Sequence, residues 1–346
     1  MAQETGEGSS PRWTVRPEGS NWGDFGADDQ LGRLNLITPE HRRAAAAEVR
    51  EGIAFCLSLP LDCPAVPINP RRFPPEFAYS MRGDDPAFNY PYGRMFPGVK
   101  DAVCDDRVTL TLQYSTQWDA LVHWGRQFDT DGSGETRAVY YNGYRAHEHV
   151  KCGDEHGEGF RAEALGIQNM AETGVQGRGV LVNLVKAFGR ERQWIDHDML
   201  MQAMTDQKVE VREGDMLLLY TGYGDALMAA NRKPDEEELA KVGAVLKGAD
   251  QRLLDWIDEA GITAVISDNQ AVEGFDLANP GTGPGGMLPL HDRCLFRLGV
   301  HLGELWWLTE LAEYLDAKGR HAFLLTAPPL RLPGAAGSPA TPVATV

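Results

Sequence analysis

The chain has 346 residues, of which 42% are hydrophobic. That is enough for the core of one α/β domain with insertions. Its formal charge of −17, from 33 Lys and Arg against 50 Asp and Glu, argues against nucleic acid and anionic membrane surfaces as partners. There is no run of about 18 apolar residues to suggest a membrane span. The polar start Met-Ala-Gln-Glu-Thr-Gly-Glu-Gly has no apolar segment of a secretory signal. The five cysteines, Cys56, Cys63, Cys104, Cys152 and Cys294, are odd in number and form no C-x-x-C pair. They read as reduced thiols of a cytoplasmic protein.

Residues 1–30 form an N-terminal arm. Its first part is rich in Gly, Ser and Pro and is expected to be loosely held, free to pack on a partner subunit. The main domain spans 31–332. Thr38-Pro39-Glu40 predicts a helix start, with Thr38 as N-cap and proline in the first turn. Ile53–Leu61 reads as a strand. Residues 62–106 are dense in Pro, Gly and aromatics and read as a long ordered excursion or lid. Val108–Tyr114 alternates as a half-buried strand does, with Gln113 at its polar end. Residues 125–178 look like an insertion. Its histidines His147, His149 and His156 stand among acidic residues, as in a solvated loop. Val180–Val185, Met216–Tyr220, Ile262–Ile266 and Ala322–Thr326 read as core strands. Pro234–Ala260 has apolar residues at helical spacing and an acidic first turn. Gly281–Gly286 reads as a loop near the site rather than a phosphate cradle. The 333–346 tail of small residues and proline is expected to be loosely held.

The chemistry concentrates in Gln113–His123, where Gln113, Gln117, Asp119 and His123 occupy positions i, i+4, i+6 and i+10. In an extended stretch Gln117 and Asp119 point the same way. If the chain then turns helical, His123 lies one turn beyond Asp119. A second pair, His291 and Glu304, is separated by 13 residues, a spacing that a helix followed by a strand can close. Glu304 is an awkward residue to bury without purpose beside two tryptophans. Trp118, Trp124, Trp306 and Trp307 flank these groups, either as an aromatic substrate pocket or as core.

This pattern resembles the His-x-x-x-His-x-Asp-x-x-x-His motif of the cyclase-like metal-dependent hydrolases, the kynurenine formamidase and isatin hydrolase relatives, with glutamine at two histidine positions. The likeness extends over nearly the whole chain. It includes Trp22–Glu40, Gly177–Val182, Gly214–Tyr223, residues 256–268, and Gly334–Pro339 followed by Pro342–Ala344. The resemblance implies a swivelling β/β/α fold and a homodimer, with either two zinc ions or one manganese. It also implies metal ligation by Gln117, Asp119 and Glu304, a ligand or proton-shuttle role for His123, and a site role for His291.

Glutamine offers only a weak carbonyl oxygen where histidine offers nitrogen. The oxygen-rich set therefore favours Mn²⁺, Mg²⁺ or Ca²⁺ over Zn²⁺ and binds less tightly. The loss of histidine at Gln113 argues against a second metal. The expected activity is hydrolysis of a C–N bond in a small amide, cyclic amide or formamide. Asp119, His123 and His291 would be the catalytic groups, with Gln113, Trp118, Trp124 and Trp306 contacting substrate. Two alternatives stay open: a metal-free dehydratase, lyase or cyclase using Asp119 and His123, and a non-catalytic binder of a small molecule.

Overall fold

The computed structural model describes residues 11–64, 67–231, 233–275 and 285–346. At its centre is a nine-stranded sheet. In chain order its strands are β1 (Ala54–Cys56), β2 (Gln117–Asp119), β3 (Gln176–Asn183), β4 (Met216–Tyr220), β5 (Ala264–Ser267), β6 (His301–Glu304), β7 (Ala322–Thr326), β8 (Gly337–Pro339) and β9 (Val343–Thr345). Across the sheet they run β1-β9-β7-β3-β4-β5-β6-β2-β8. The four strands β3 to β6 are mutually parallel, and each remaining strand joins antiparallel.

The parallel centre follows from its residues. Every residue of β4 and β5 is buried, and strands covered on both faces read as unbroken apolar runs rather than alternating ones. Helix α1 (Pro39–Ala46) packs on β3 and β7, while α2 (His197–Gln207) lies between β3 and α3 (Gln251–Glu259). Each starts on a side chain that accepts from a first-turn amide: Thr38 from His41 at 3.3 Å, Asp196 from Met199 at 3.1 Å and Asp250 from Arg252 at 3.0 Å. Such caps satisfy donors that the helix itself cannot.

Several expectations are corrected. Val108–Tyr114 is not a half-buried strand: pairing covers only Asp106–Thr109, all exposed, against Glu76–Tyr79. A ribbon of two strands with solvent at both faces shows the alternation without burying either face. Ile53–Leu61 supplies only the short β1. Pro234–Ala260 is not one helix. A short turn, Glu236–Leu239, ends before Gly243 at φ +79°, and Val245–Leu246 pairs with Trp194–Ile195 before α3 begins.

The tail is not loose, since β8 and β9 both belong to the central sheet. The described residues of the N-terminal segment expected to be loose are also held, since the Thr14 and Val15 amides donate to the Thr130 carbonyl at 2.8 and 3.0 Å. The rest of the arm is fixed as well. Trp22 is 1% exposed and its indole donates to the Phe296 carbonyl at 2.8 Å. The buried amide of Asn142 donates to the carbonyls of Gly26, Ala27 and Asp29. Residues 1–10 of the arm, and Gly281–Pro284 of the glycine-rich loop, lie outside the described residues.

His147 and His156 are exposed and His149 is partly exposed, as in a solvated loop. None of the five cysteines forms a disulfide. No helix among the described residues is long and apolar enough to cross a membrane.

Candidate active site

Strand β2 lies between β6 and β8, and register decides which side chains meet. Gln117 faces Glu304 across the β2–β6 pair, and Asp119 faces Leu302. Alternation sends Gln117, Asp119 and Glu304 to one face and Trp118 to the other. On that other face Trp118 is fully buried, stacks edge-on against the buried Trp306 at 5.0 Å, and donates to the Ala327 carbonyl. Gly303 makes the room, since a Cβ there would lie 2.9 Å from the Trp306 indole nitrogen. Trp118 and Trp306 are thus core residues, not the substrate contacts expected of them. Trp124 is only partly buried, and its ring lies 5.4 Å from the imidazole of His291.

Beyond β2 the chain turns into a 3-10 helix, Leu121–His123, which brings His123 Nε2 back to 3.9 Å from Asp119 Oδ1. Its side chain is 22% exposed, so it lies at the mouth of the site. His291 arrives from a single helical turn, Pro289–His291, that continues as a π-helix, Asp292–Leu298, before β6. Its Nε2 stands 3.6 Å from Glu304 Oε1. Asp119, His291 and Glu304 are all buried, and each offers one atom within 4.8 Å of the others.

Gln117 sits between the two carboxylates. Its Nε2 donates to Asp119 Oδ1 at 3.3 Å and to Glu304 Oε2 at 3.1 Å. Gln117 Oε1 and Asp119 Oδ2 are buried and have no hydrogen-bond partner among the described residues. Two orphaned oxygens beside an imidazole nitrogen and a second carboxylate suit a divalent cation, because buried polar atoms are otherwise paired.

Gln113 does not join this group. Its carbonyl accepts from Arg72, and its amide lies against β8, where a Cβ on Gly337 would come within 2.6 Å of Nε2.

Two site residues escaped the sequence reading. Glu273 is fully buried and accepts from the Leu290 amide and from both the backbone amide and Nδ1 of His291, the last at 2.8 Å. Arg72 reaches in from the proline-rich excursion, with Nη1 3.9 Å from Glu304 Oε2. Neither stands in a periodic or motif context. The one sequence hint was a glutamate, Glu273, in the apolar run Ala-Val-Glu-Gly-Phe.

The backbone is strained beside both buried glutamates. Val272 precedes Glu273 at φ +57°, and Leu305 follows Glu304 at φ +56°. Bulky residues rarely adopt that region, and such strain clusters at functional sites.

The electrostatics divide the two facing carboxylates. Burial pushes the Asp119 pKa above the usual carboxylate range, and the charge of Glu304 adds to the rise. Glu304 is desolvated as well, but the His291 hydrogen bond and the Arg72 charge hold it low. Burial disfavours charge on His291, yet Glu273 and Glu304 outweigh it and push its pKa up to about 10.

The family model described as putative cyclase matches residues 55–274. A crystal structure described as a novel cyclase is 34% identical, covers 94% of this chain and 97% of its own, and superposes with a TM-score of 0.74. The chain belongs to the cyclase family.

Two cyclase-family relatives show the shared fold at low identity. Isatin hydrolase A from Ralstonia solanacearum is 15% identical, covers 89% of this chain and 97% of its own, and has a TM-score of 0.54. Isatin hydrolase A from Labrenzia aggregata, bound to benzyl benzoate, is 14% identical, covers 87% and 94%, and has a TM-score of 0.53. The nine-stranded sheet is thus the family's swivelling β/β/α fold. No curated protein matches the chain.

Proposed function

We propose that this protein is a metal-dependent hydrolase that cleaves a C–N bond in a small amide, cyclic amide or formamide. The observation that carries the reading is the convergence of Asp119, His291 and Glu304 within 4.8 Å, beside the unpartnered oxygens of Gln117 and Asp119. Asp119, Glu304 and the carbonyl of Gln117 would hold the metal, with His291 Nε2 as the one nitrogen ligand. His291 thereby takes a ligand's place rather than the catalytic one expected from sequence. An oxygen-rich set with one imidazole favours manganese over zinc.

A divalent metal held by these residues would supply Lewis-acid chemistry for the substrate carbonyl and for water. The protein's own groups do the rest. Glu273 fixes the His291 tautomer by accepting from Nδ1. His123, at the mouth and within reach of Asp119, takes the proton from water and returns it to the leaving nitrogen. Trp124 offers an aromatic wall to a ring-bearing substrate. The exposed Phe73, Phe77, Tyr79 and Met81 of the proline-rich excursion support a homodimer, and five cysteines without a disulfide support a cytoplasmic location.

The test is metal content and thermal unfolding of the purified protein, with and without added Mn²⁺, alongside an amide and formamide screen. A saturating metal should stabilise by about 2.7 kcal/mol at a hundred times its Kd, and Asp119→Ala should abolish that gain. No metal bound and no metal-dependent turnover would refute the reading.

A second reading is a metal-free dehydratase, lyase or cyclase worked by Asp119 and His123. It is favoured by the Gln117 amide, which donates to both carboxylates at once and so holds them together without a cation. Activity that survives exhaustive chelation would select it.

A further inference from the structure

Arg72 stands apart from the other arginines that meet buried carboxylates in this molecule. Arg178 reaches Asp215 at 2.6 Å and Arg126 reaches Asp292 at 2.9 Å, the close approach expected of a charge-assisted pair. Arg72 stops 3.9 Å from Glu304. The nitrogen nearest Glu304, Nη1, is the one that donates to the Gln113 carbonyl at 3.0 Å. The Nε and Nη2 atoms have no hydrogen bond among the described residues, and the side chain is 20% exposed.

The backbone that carries the guanidinium is held in place, and Nη1 is tied to Gln113. The Arg72 amide donates to the Asn69 carbonyl at 2.9 Å, and the Phe73 amide donates to Thr111 Oγ1 at 2.9 Å. The result is a partly exposed cation with two unused donors beside a buried carboxylate, in a chain of net charge −17.

We propose that Arg72 anchors a carboxylate on the substrate, so that the amide taken by this site belongs to an acid-bearing molecule. The inference rests on the hydrolase reading above and narrows its substrate class. The planar fork of arginine matches a carboxylate through two parallel hydrogen bonds, and Nε and Nη2 are the pair that can form them. Trp124 lies against His291, with ring centroids 5.4 Å apart, and adds an aromatic surface to the site.

The test is calorimetric binding of two probes to the protein as purified, near neutral pH: phthalamate, with an amide and a carboxylate on one ring, and phthalamide, its uncharged counterpart. Binding is read whether or not either probe is hydrolysed, so failure here is separable from failure of the hydrolase reading, which metal content and turnover decide. Wild type should bind phthalamate roughly tenfold or more tightly than phthalamide. Arg72→Gln should erase the difference, and Arg72→Lys should keep part of it.

An arginine that only balances the charge of Glu304 predicts equal binding of the two probes, and that result overturns the proposal. So does a preference that survives in Arg72→Gln, or failure of phthalamate to bind. If Arg72→Gln does not fold, the wild-type comparison and Arg72→Lys still decide.

Discussion

The imidazole of His291 donates from Nδ1 to Glu273 Oε1 at 2.8 Å, and the same carboxylate accepts the His291 backbone amide at 2.9 Å. One buried glutamate thereby fixes both the position and the ring orientation of the histidine, and leaves Nε2 facing Glu304. Glu273→Gln keeps the shape and removes the charge. It should weaken metal binding by roughly 10–100-fold, measured by competition with a chromogenic chelator. Unchanged metal affinity would show that His291 needs no such partner.

Gln117→His places an imidazole at a proposed ligand position. A neutral imidazole is a better donor to Mn²⁺ or Zn²⁺ than an amide oxygen, so affinity should rise by about tenfold, or about 1.4 kcal/mol, with zinc gaining most. It also removes the amide that donates to Asp119 and Glu304, so the metal-free variant should unfold at a lower temperature than wild type. Weaker metal binding in this variant would mean that Gln117 is not at a ligand position.

His123→Ala tests the proton shuttle. The side chain is partly exposed and pairs only loosely with Asp119, so its removal should spare folding and metal binding while lowering turnover by roughly 10²–10⁴-fold. Near-native turnover would rule out the assignment.

His301 gives the fold a dependence on pH that is separate from catalysis. It is buried, its Nδ1 donates to the Asp119 carbonyl at 3.2 Å, and burial lowers its pKa to about 4. The unfolded chain binds the proton from about 6.5 downward, so between about 6.5 and 4 the folded state holds fewer protons. Stability from this residue is full above that window and is lost as pH falls through it, at up to about 1.4 kcal/mol per pH unit. The stability difference between wild type and His301→Met should therefore shrink on acidification from pH 7 to pH 5 in chemical denaturation. A constant difference would contradict the sign.

Legibility in the sequence tracked how local each arrangement is. Gln117, Asp119 and His123 were readable because one strand and one turn bring them together. His291 and Glu304 needed only a helix followed by a strand. Glu273 and Arg72 come from segments with no period, and their roles exist only once distant loops converge.

Val108–Tyr114 misled because alternation signals burial only when a second layer exists to bury the face. Pro234–Ala260 misled because Gly243 and the pairing of Val245 and Leu246 with Trp194 and Ile195 override a helical spacing. The small residues after Leu332 looked idle, yet Gly337 is needed where Gln113 and the backbone of Trp118 crowd its missing Cβ.

Strand β2 carries the candidate ligands but is inert alone, because both of its neighbours, β6 and β8, lie far downstream. Gln117 and Glu304 are separated by 187 positions. During synthesis the ligand strand therefore waits, unpaired, while most of the domain is made. Metal added to stalled nascent chains should find no site until residues through Glu304 have left the ribosome, so the proposed metal would be captured late in the synthesis of the domain.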